Sequence, residues 1–79
     1  MVVYALISQE GRIYVGQTAD LDKRLRDHNL GRVFSTKGYR PWRLLYKEEV
    51  VDRVSARIRE KYLKSGCGKE FLKELPKPM

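Results

Sequence analysis

The sequence predicts a small α+β domain of three strands and three helices. Three observations point there. Residues 2–8, 12–15 and 42–50 are runs rich in β-branched and aromatic side chains, bounded by glycine, proline or other turn residues. Residues 18–29, 52 or 55 to 64, and 68–75 place apolar side chains at helical spacing, with capping residues at their starts. A chain of 79 residues holds one domain, 1–79, with a small core and a net stability on the order of a few kcal/mol.

The elements follow in order. The first strand is apolar on both faces, Val2, Tyr4 and Leu6 on one and Val3, Ala5 and Ile7 on the other, so the sheet is expected to be covered on both sides at its centre. Ser8, Gln9, Glu10 and Gly11 form a turn, and the second strand returns as a hairpin that Gly16 ends. Thr18 or Asp20 caps the first helix, and Gly31 suits a left-handed stop after it. Residues 32–39 form a polar loop, and Pro41 breaks any helix. The third strand puts Trp42, Leu44 and Tyr46 on one face and Leu45 on the other. The second helix has two apolar arcs: Val54, Ile58 and Tyr62 form one, Ala56 and Leu63 the other. The helical pattern does not say which packs on the sheet. Gly66 closes this helix, and the last helix turns Phe71, Leu72 and Leu75 inward.

Charge narrows the partners. Seventeen Lys and Arg against ten Asp and Glu give a net +7 and a pI near 9.8. So dense a positive field makes nucleic acid the first partner to consider. Plain solubility is the bland alternative. The basic residues are spread along the chain, and no segment has the large Trp/Phe/Leu face of an interfacial helix, which argues against a membrane. The apolar start, residues 1–7, is too short for a signal peptide or a membrane span. A single cysteine, Cys67, excludes an internal disulfide and any two-cysteine zinc site, and fits a reducing, cytoplasmic compartment.

The stretch from Ile13 to His28, IYVGQTADLDKRLRDH, organises the rest. With Leu21 at 0° on a helical wheel, Leu25 falls at about +40°, His28 at about −20° and Arg24 at about −60°. Arg24 and His28 are therefore the polar side chains beside the apolar stripe, bordering whatever cleft the Tyr14 strand opens onto.

The spacing Tyr14-Val15-Gly16, then Arg24, then His28 resembles the GIY-YIG nuclease superfamily. Val2-Val3-Tyr4 stands where the first signature tripeptide would be. The likeness runs on through His28-Asn29-Leu30-Gly31, Arg40-Pro41-Trp42, and Ala56 with Glu60 and Leu63-Lys64. Two positions depart from the pattern. Val2 replaces the first-tripeptide glycine, and the late asparagine of some members has no counterpart, because Asn29 is the only asparagine.

The resemblance implies a three-stranded antiparallel β-sheet flanked by three α-helices, and a metal-dependent endonuclease. It favours packing through Ala56 and Leu63, which brings Glu60 to the cleft. Phosphodiester hydrolysis needs charge on the phosphate neutralised, water activated and developing charge stabilised. Glu60 supplies a hard oxygen for Mg²⁺ or Mn²⁺, which commonly bind through one or two carboxylates, waters and substrate oxygens. Taken alone, Glu60 reads as a solvated residue paired with Lys64. Arg24 would hold a phosphate oxygen, or pair with Asp20 or Asp27. Tyr14 stands where the family's water-activating or water-positioning tyrosine does; since an ordinary phenol titrates near 10 and is a poor base at pH 7, it needs Arg24, the metal or His28 nearby. Tyr4 is the second family tyrosine, positioning rather than reacting. His28 is a proton shuttle, a phosphate ligand or a structural hydrogen-bonder.

Gly16 would let phosphate approach the backbone. Ser35, Thr36, Lys37 and Arg40 carry donors for phosphates. Cys67 is a bystander, and residues 66–69 cap a helix rather than hold an anion. One such site cuts one strand, so a double-strand cut needs a homodimer or two encounters, and a partner protein would be the source of specificity. The rival reading is a non-catalytic nucleic-acid-binding module on the same fold.

Overall fold

A computed structural model describes residues 1–78; Met79, the last residue of the expected 1–79 domain, lies outside the described residues. The elements run β1 (Val2–Ser8), β2 (Ile13–Thr18), α1 (Leu21–Asn29), a 3₁₀ turn (Lys37–Tyr39), β3 (Trp42–Glu49), α2 (Arg53–Lys64) and α3 (Gly66–Glu74). The three strands form one antiparallel sheet in the order β2-β1-β3. β1 is the central strand, and its double-sided apolar pattern is explained by helices on both faces: Val3 to Ser8 are all buried. No helix among the described residues is long and apolar enough to cross a membrane.

Local chemistry sets the boundaries. The hairpin turn uses Gly11 at φ +90°, where a side chain would be strained. Asp20 and Asp52 cap α1 and α2 by accepting the backbone N–H of Lys23 and Ser55. Gly31, at φ +79°, follows the C-terminus of α1. Ser65 ends α2 and caps α3, so Gly66 opens α3 rather than closing α2. The two helices meet at Gly68, where any Cβ would overlap the Tyr62 carbonyl oxygen and the Leu63 Cα.

Two apolar layers result. Val3, Ala5 and Val15 pack beneath α2 and α3 against Ala56, Leu63 and Leu72, all at most 5% exposed. Of the two arcs of α2, the Ala56/Leu63 arc is the one buried; Val54 and Ile58 are about two-thirds exposed. On the other face Tyr4, Leu6 and Trp42 pack with Tyr14, Leu21, Leu25 and Leu44. Asn29 joins α1 to β3, its amide donating to the Trp42 carbonyl at 3.0 Å and its oxygen accepting the Trp42 N–H at 2.7 Å.

The structure corrects four expectations. β2 runs through Gly16 to Thr18, because Gly16 pairs with Tyr4 inside the ladder. Tyr46 lies on the opposite face from Trp42 and Leu44. Ala5 pairs with Tyr46 while Leu6 pairs with Leu44, so Leu45 is an extra residue in β3; the bulge turns Leu45 and Tyr46 together toward the α2/α3 layer. Phe71 is 40% exposed and sits edge-on to Tyr46 at 5.3 Å, so it rims that layer rather than filling it. Gly66 is displaced as described.

Candidate active site

Gly16 and Tyr4 build the centre of the site. Both belong to paired strands and point to the α1 face. A Cβ on Gly16 would lie 2.7 Å from the Tyr4 hydroxyl oxygen and 3.1 Å from a ring carbon of Tyr14. Glycine at 16 is thus what lets the two tyrosine rings close over the edge strand, a close-approach role rather than a turn role. Tyr4 and Tyr14 have ring centroids 6.4 Å apart, and each is close to the His28 ring, at 5.8 and 5.0 Å.

His28 is fully buried, with both ring nitrogens engaged. Nε2 is 2.8 Å from the Tyr4 hydroxyl, and Nδ1 is 2.8 Å from Thr36 Oγ1. The proton positions follow from the hydrogen-bond partners. Burial pushes the Tyr4 phenol up to about 12, against the opposing pull of Arg24, with the Tyr14 and Glu60 charges adding to the rise. Tyr4 is therefore neutral at working pH; because the Thr36 hydroxyl donates to the Val33 carbonyl, its oxygen accepts from Nδ1, which leaves Nε2 to accept from Tyr4. The remaining imidazole hydrogen sits on Nδ1 and is donated to Thr36, whose hydroxyl donates to the Val33 carbonyl at 3.4 Å. Tyr4, His28 and Thr36 form a one-way chain of donors, with no ring nitrogen left for solvent.

This arrangement has a pH consequence. Burial first, and then the Arg24 charge, lower the His28 pKa below 6.5, while Asp27 pulls the other way. A base whose folded pKa is depressed binds its proton more tightly in the unfolded chain. Stability is thus expected to fall as pH drops below about 6.5, by at most about 1.4 kcal/mol per pH unit. Asp27, Glu48 and Asp52, all lowered, stay ionised through that range and do not contribute to the loss. His28 is the only histidine, so its ring-proton resonances give the midpoint directly; a midpoint at or above 6.5 contradicts this burial.

Arg24, in the first helical turns of α1, is half-buried and sits close enough to influence both Tyr4 and His28. Glu60 lies on α2, in the layer across the sheet from Tyr14. α2 runs against β2, the edge strand, and the Glu60 charge is felt at the Tyr4 phenol. Its carboxylate accepts from Lys64 Nζ at 2.7 Å, with 21% of the Glu60 side chain exposed and 53% of that of Lys64. An exposed i,i+4 pair of this kind contributes about 0.3–0.5 kcal/mol, too little to keep the carboxylate from another cation.

Tyr4, Tyr14, Gly16, Arg24 and His28 are thus gathered about one phenol on the α1 face; Glu60, expected in the same cleft, stands on α2 across the sheet and is linked to them only through its charge at Tyr4. Lys37 and Arg40 are not among them. Lys37 Nζ lies over the Phe34 ring, 4.9 Å from its centroid. Arg40 Nε donates to the Lys37 carbonyl at 2.8 Å, and its guanidinium lies against Gly31. Among the described residues no three His, Cys, Asp or Glu side chains form a metal-binding group. What is present fits a Mg²⁺-type ion held by one carboxylate, with waters and substrate oxygens completing the shell.

Two features escaped the sequence reading. Thr36 was one phosphate donor among several, yet it is fully buried and fixes the His28 tautomer. The second is a basic ridge: Arg53, Arg57, Lys61 and Lys64 are all exposed on α2, on the helical face that carries Glu60. Their spacing of four, four and three residues was a readable signal for it.

The model of the GIY-YIG catalytic domain family matches residues 1–71. A protein of Clostridium perfringens (strain 13 / Type A), UPF0213 protein CPE1444, is 36% identical over 63 residues, covering 78% of this chain and 68% of that protein. No solved structure matches the chain. With the paired tyrosine strands, the Arg24 helix and the Glu60 helix in place around them, the chain belongs to the GIY-YIG nuclease superfamily.

Proposed function

We propose that this chain is a divalent-metal-dependent endonuclease that hydrolyses phosphodiester bonds in nucleic acid, DNA ahead of RNA, with little sequence preference. The observation that carries the reading is the packing of Tyr14, Arg24 and His28 about the Tyr4 phenol, with the Tyr14 and His28 rings 6.4 and 5.8 Å from that of Tyr4 and the Arg24 charge acting on both Tyr4 and His28; Glu60 joins them from the neighbouring layer.

Arg24 binds a non-bridging phosphate oxygen through its fork of N–H donors and offsets the charge that develops during attack. Tyr14, half-buried on β2, presents its hydroxyl to the attacking water and orients it. Tyr4 holds the ring cluster through its hydrogen bond to His28 and stays neutral. Tyr4 and His28 therefore position the site, and the proton traffic falls to groups other than the buried imidazole. Glu60 would hold Mg²⁺ or Mn²⁺, which when bound supplies Lewis-acid polarisation of the phosphate and a more acidic water. Arg53, Arg57 and Lys61 extend the positive surface along α2.

Binding would then rest mainly on counterion release, with a slope of about −0.9 in log K against log salt for each phosphate contacted on duplex DNA. The test is incubation of the purified chain with supercoiled plasmid and with single strands, in Mg²⁺, in Mn²⁺ and in EDTA, across a salt series. Nicking that needs the metal supports the reading; salt-dependent binding with no cutting in either metal leaves the binding-module reading. The Glu60–Lys64 pair is the observation that favours this second reading.

A further inference from the structure

Phe34 is 85% exposed, on the segment between α1 and the 3₁₀ turn, and an isolated exposed phenylalanine is by itself unremarkable. Three observations set this one apart. The first is a cation on the ring: Lys37 Nζ stands 4.9 Å from the centroid.

The second is a fixed backbone. Thr36 N and Lys37 N both donate to the Val33 carbonyl, at 3.1 and 3.0 Å. The Thr36 carbonyl accepts from Trp42 Nε1 at 2.8 Å, and Thr36 Oγ1 meets His28. Phe34 thus projects from a turn closed at Val33 and pinned at Thr36, so presenting the ring needs no loop ordering when a ligand arrives. The third is charge: Arg32, Lys37 and Arg40 lie on the same short segment, Lys37 and Arg40 exposed, and the Arg32 side chain, two-thirds exposed, meets the Asp27 carboxylate at 3.3 Å, which it shares with Lys23.

An open aromatic face among cations is the chemistry that stacks an unpaired base while holding its phosphates. A duplex keeps its bases stacked on one another and offers this ring nothing but its ends. We infer that Phe34, with Lys37 over its ring and Arg32 and Arg40 on the same segment, is a stacking platform for an unpaired base, which narrows the substrate class to nucleic acid carrying a single-stranded segment. The inference rests on the nuclease reading for its biological meaning. Thr36 links the two physically: the residue that pins the platform also holds His28, and through it Tyr4.

The experiment is binding by the full chain in EDTA, where metal-dependent cutting does not occur. The probes are a 12-nucleotide single strand with a central 2-aminopurine, the same strand with an abasic site there, and the blunt duplex; the proteins are wild type, Phe34→Ala and Phe34→Tyr. Wild type is expected to quench 2-aminopurine fluorescence. Phe34→Ala is expected to bind the single strand about fivefold to a hundredfold more weakly, with no quenching, and the duplex within about twofold of wild type. Phe34→Tyr keeps both properties. Exposure of the ring means that melting temperatures should be unchanged.

Equal losses on strand and duplex, or no loss on either, overturn the platform. So does a Phe34→Ala variant whose only change is loss of self-association in sedimentation, since the ring would then serve a second copy of the chain. Quenching without any divalent-dependent cutting sinks the nuclease reading and leaves the platform standing; cutting without quenching does the reverse.

Discussion

Glu60→Gln is expected to abolish divalent-dependent cleavage, lowering it by at least about a hundredfold, while affinity for a duplex stays within about twofold of wild type or rises. Glutamine keeps the shape and removes a carboxylate charge that is felt at the Tyr4 phenol. It also releases Lys64, now paired at 2.7 Å, to join the exposed cations of α2. Arg24→Ala separates binding from chemistry in the other direction. It is expected to lower cleavage and affinity together, because a guanidinium on a non-bridging oxygen acts in both the ground state and the transition state. A Glu60→Gln protein that still cuts in Mg²⁺ contradicts the assignment; gel-shift affinity and plasmid nicking, measured on the same preparation, decide it.

Gly68→Ala carries the largest expected effect on stability. The added methyl would overlap the Tyr62 carbonyl oxygen and the Leu63 Cα, which are backbone atoms of α2 and cannot rotate aside. Leu63 and Leu72, both fully buried, would be forced apart as the two helices separate. Overpacking of this kind costs about 3 kcal/mol or more, most of the stability open to a chain of this size. The melting temperature should fall by roughly 12–24 °C, at about 4–8 °C per kcal/mol for a domain this small. Gly66→Ala is the control, since nothing lies within 4 Å of a Cβ there. A Gly68→Ala protein melting within a few degrees of wild type would show that α2 and α3 do not meet as described.

What was legible in the sequence was local. The hairpin with Gly11, the caps Asp20 and Asp52, the Gly31 stop and the split between the two arcs of α2 each depend on a few neighbouring residues and a known backbone preference. What depends on a partner strand was not legible. The Leu45 bulge, which moves Tyr46 to the other face, follows from how β3 registers on β1, and period-two alternation within β3 carries no trace of it. Gly16 was read as a strand end because glycine commonly ends strands; its actual constraint is the Tyr4 hydroxyl across the ladder. The same holds for the site. Helical geometry set Arg24 and His28 beside the apolar stripe and at the border of a cleft, whereas His28 is fully buried, and the engagement of both its nitrogens required Thr36, eight residues on. Asn29 carried no structural signal, although its two bonds to Trp42 tie α1 to β3.

Under the proposed function the reacting phosphate meets this chain beside Glu60, Arg24 and Gly16. A rival acidic place exists on the surface: Asp20, Asp22 and Glu49 line one recess with Lys47. The direct measurement is paramagnetic broadening of backbone amide resonances by Mn²⁺, added at low stoichiometry to the Glu60 wild-type chain with a non-hydrolysable phosphorothioate strand. Broadening centred on the amides of Gly16, Arg24 and Glu60 is the predicted result. Broadening centred on Asp20, Asp22 and Glu49, with Gly16 and Glu60 sharp, would contradict it.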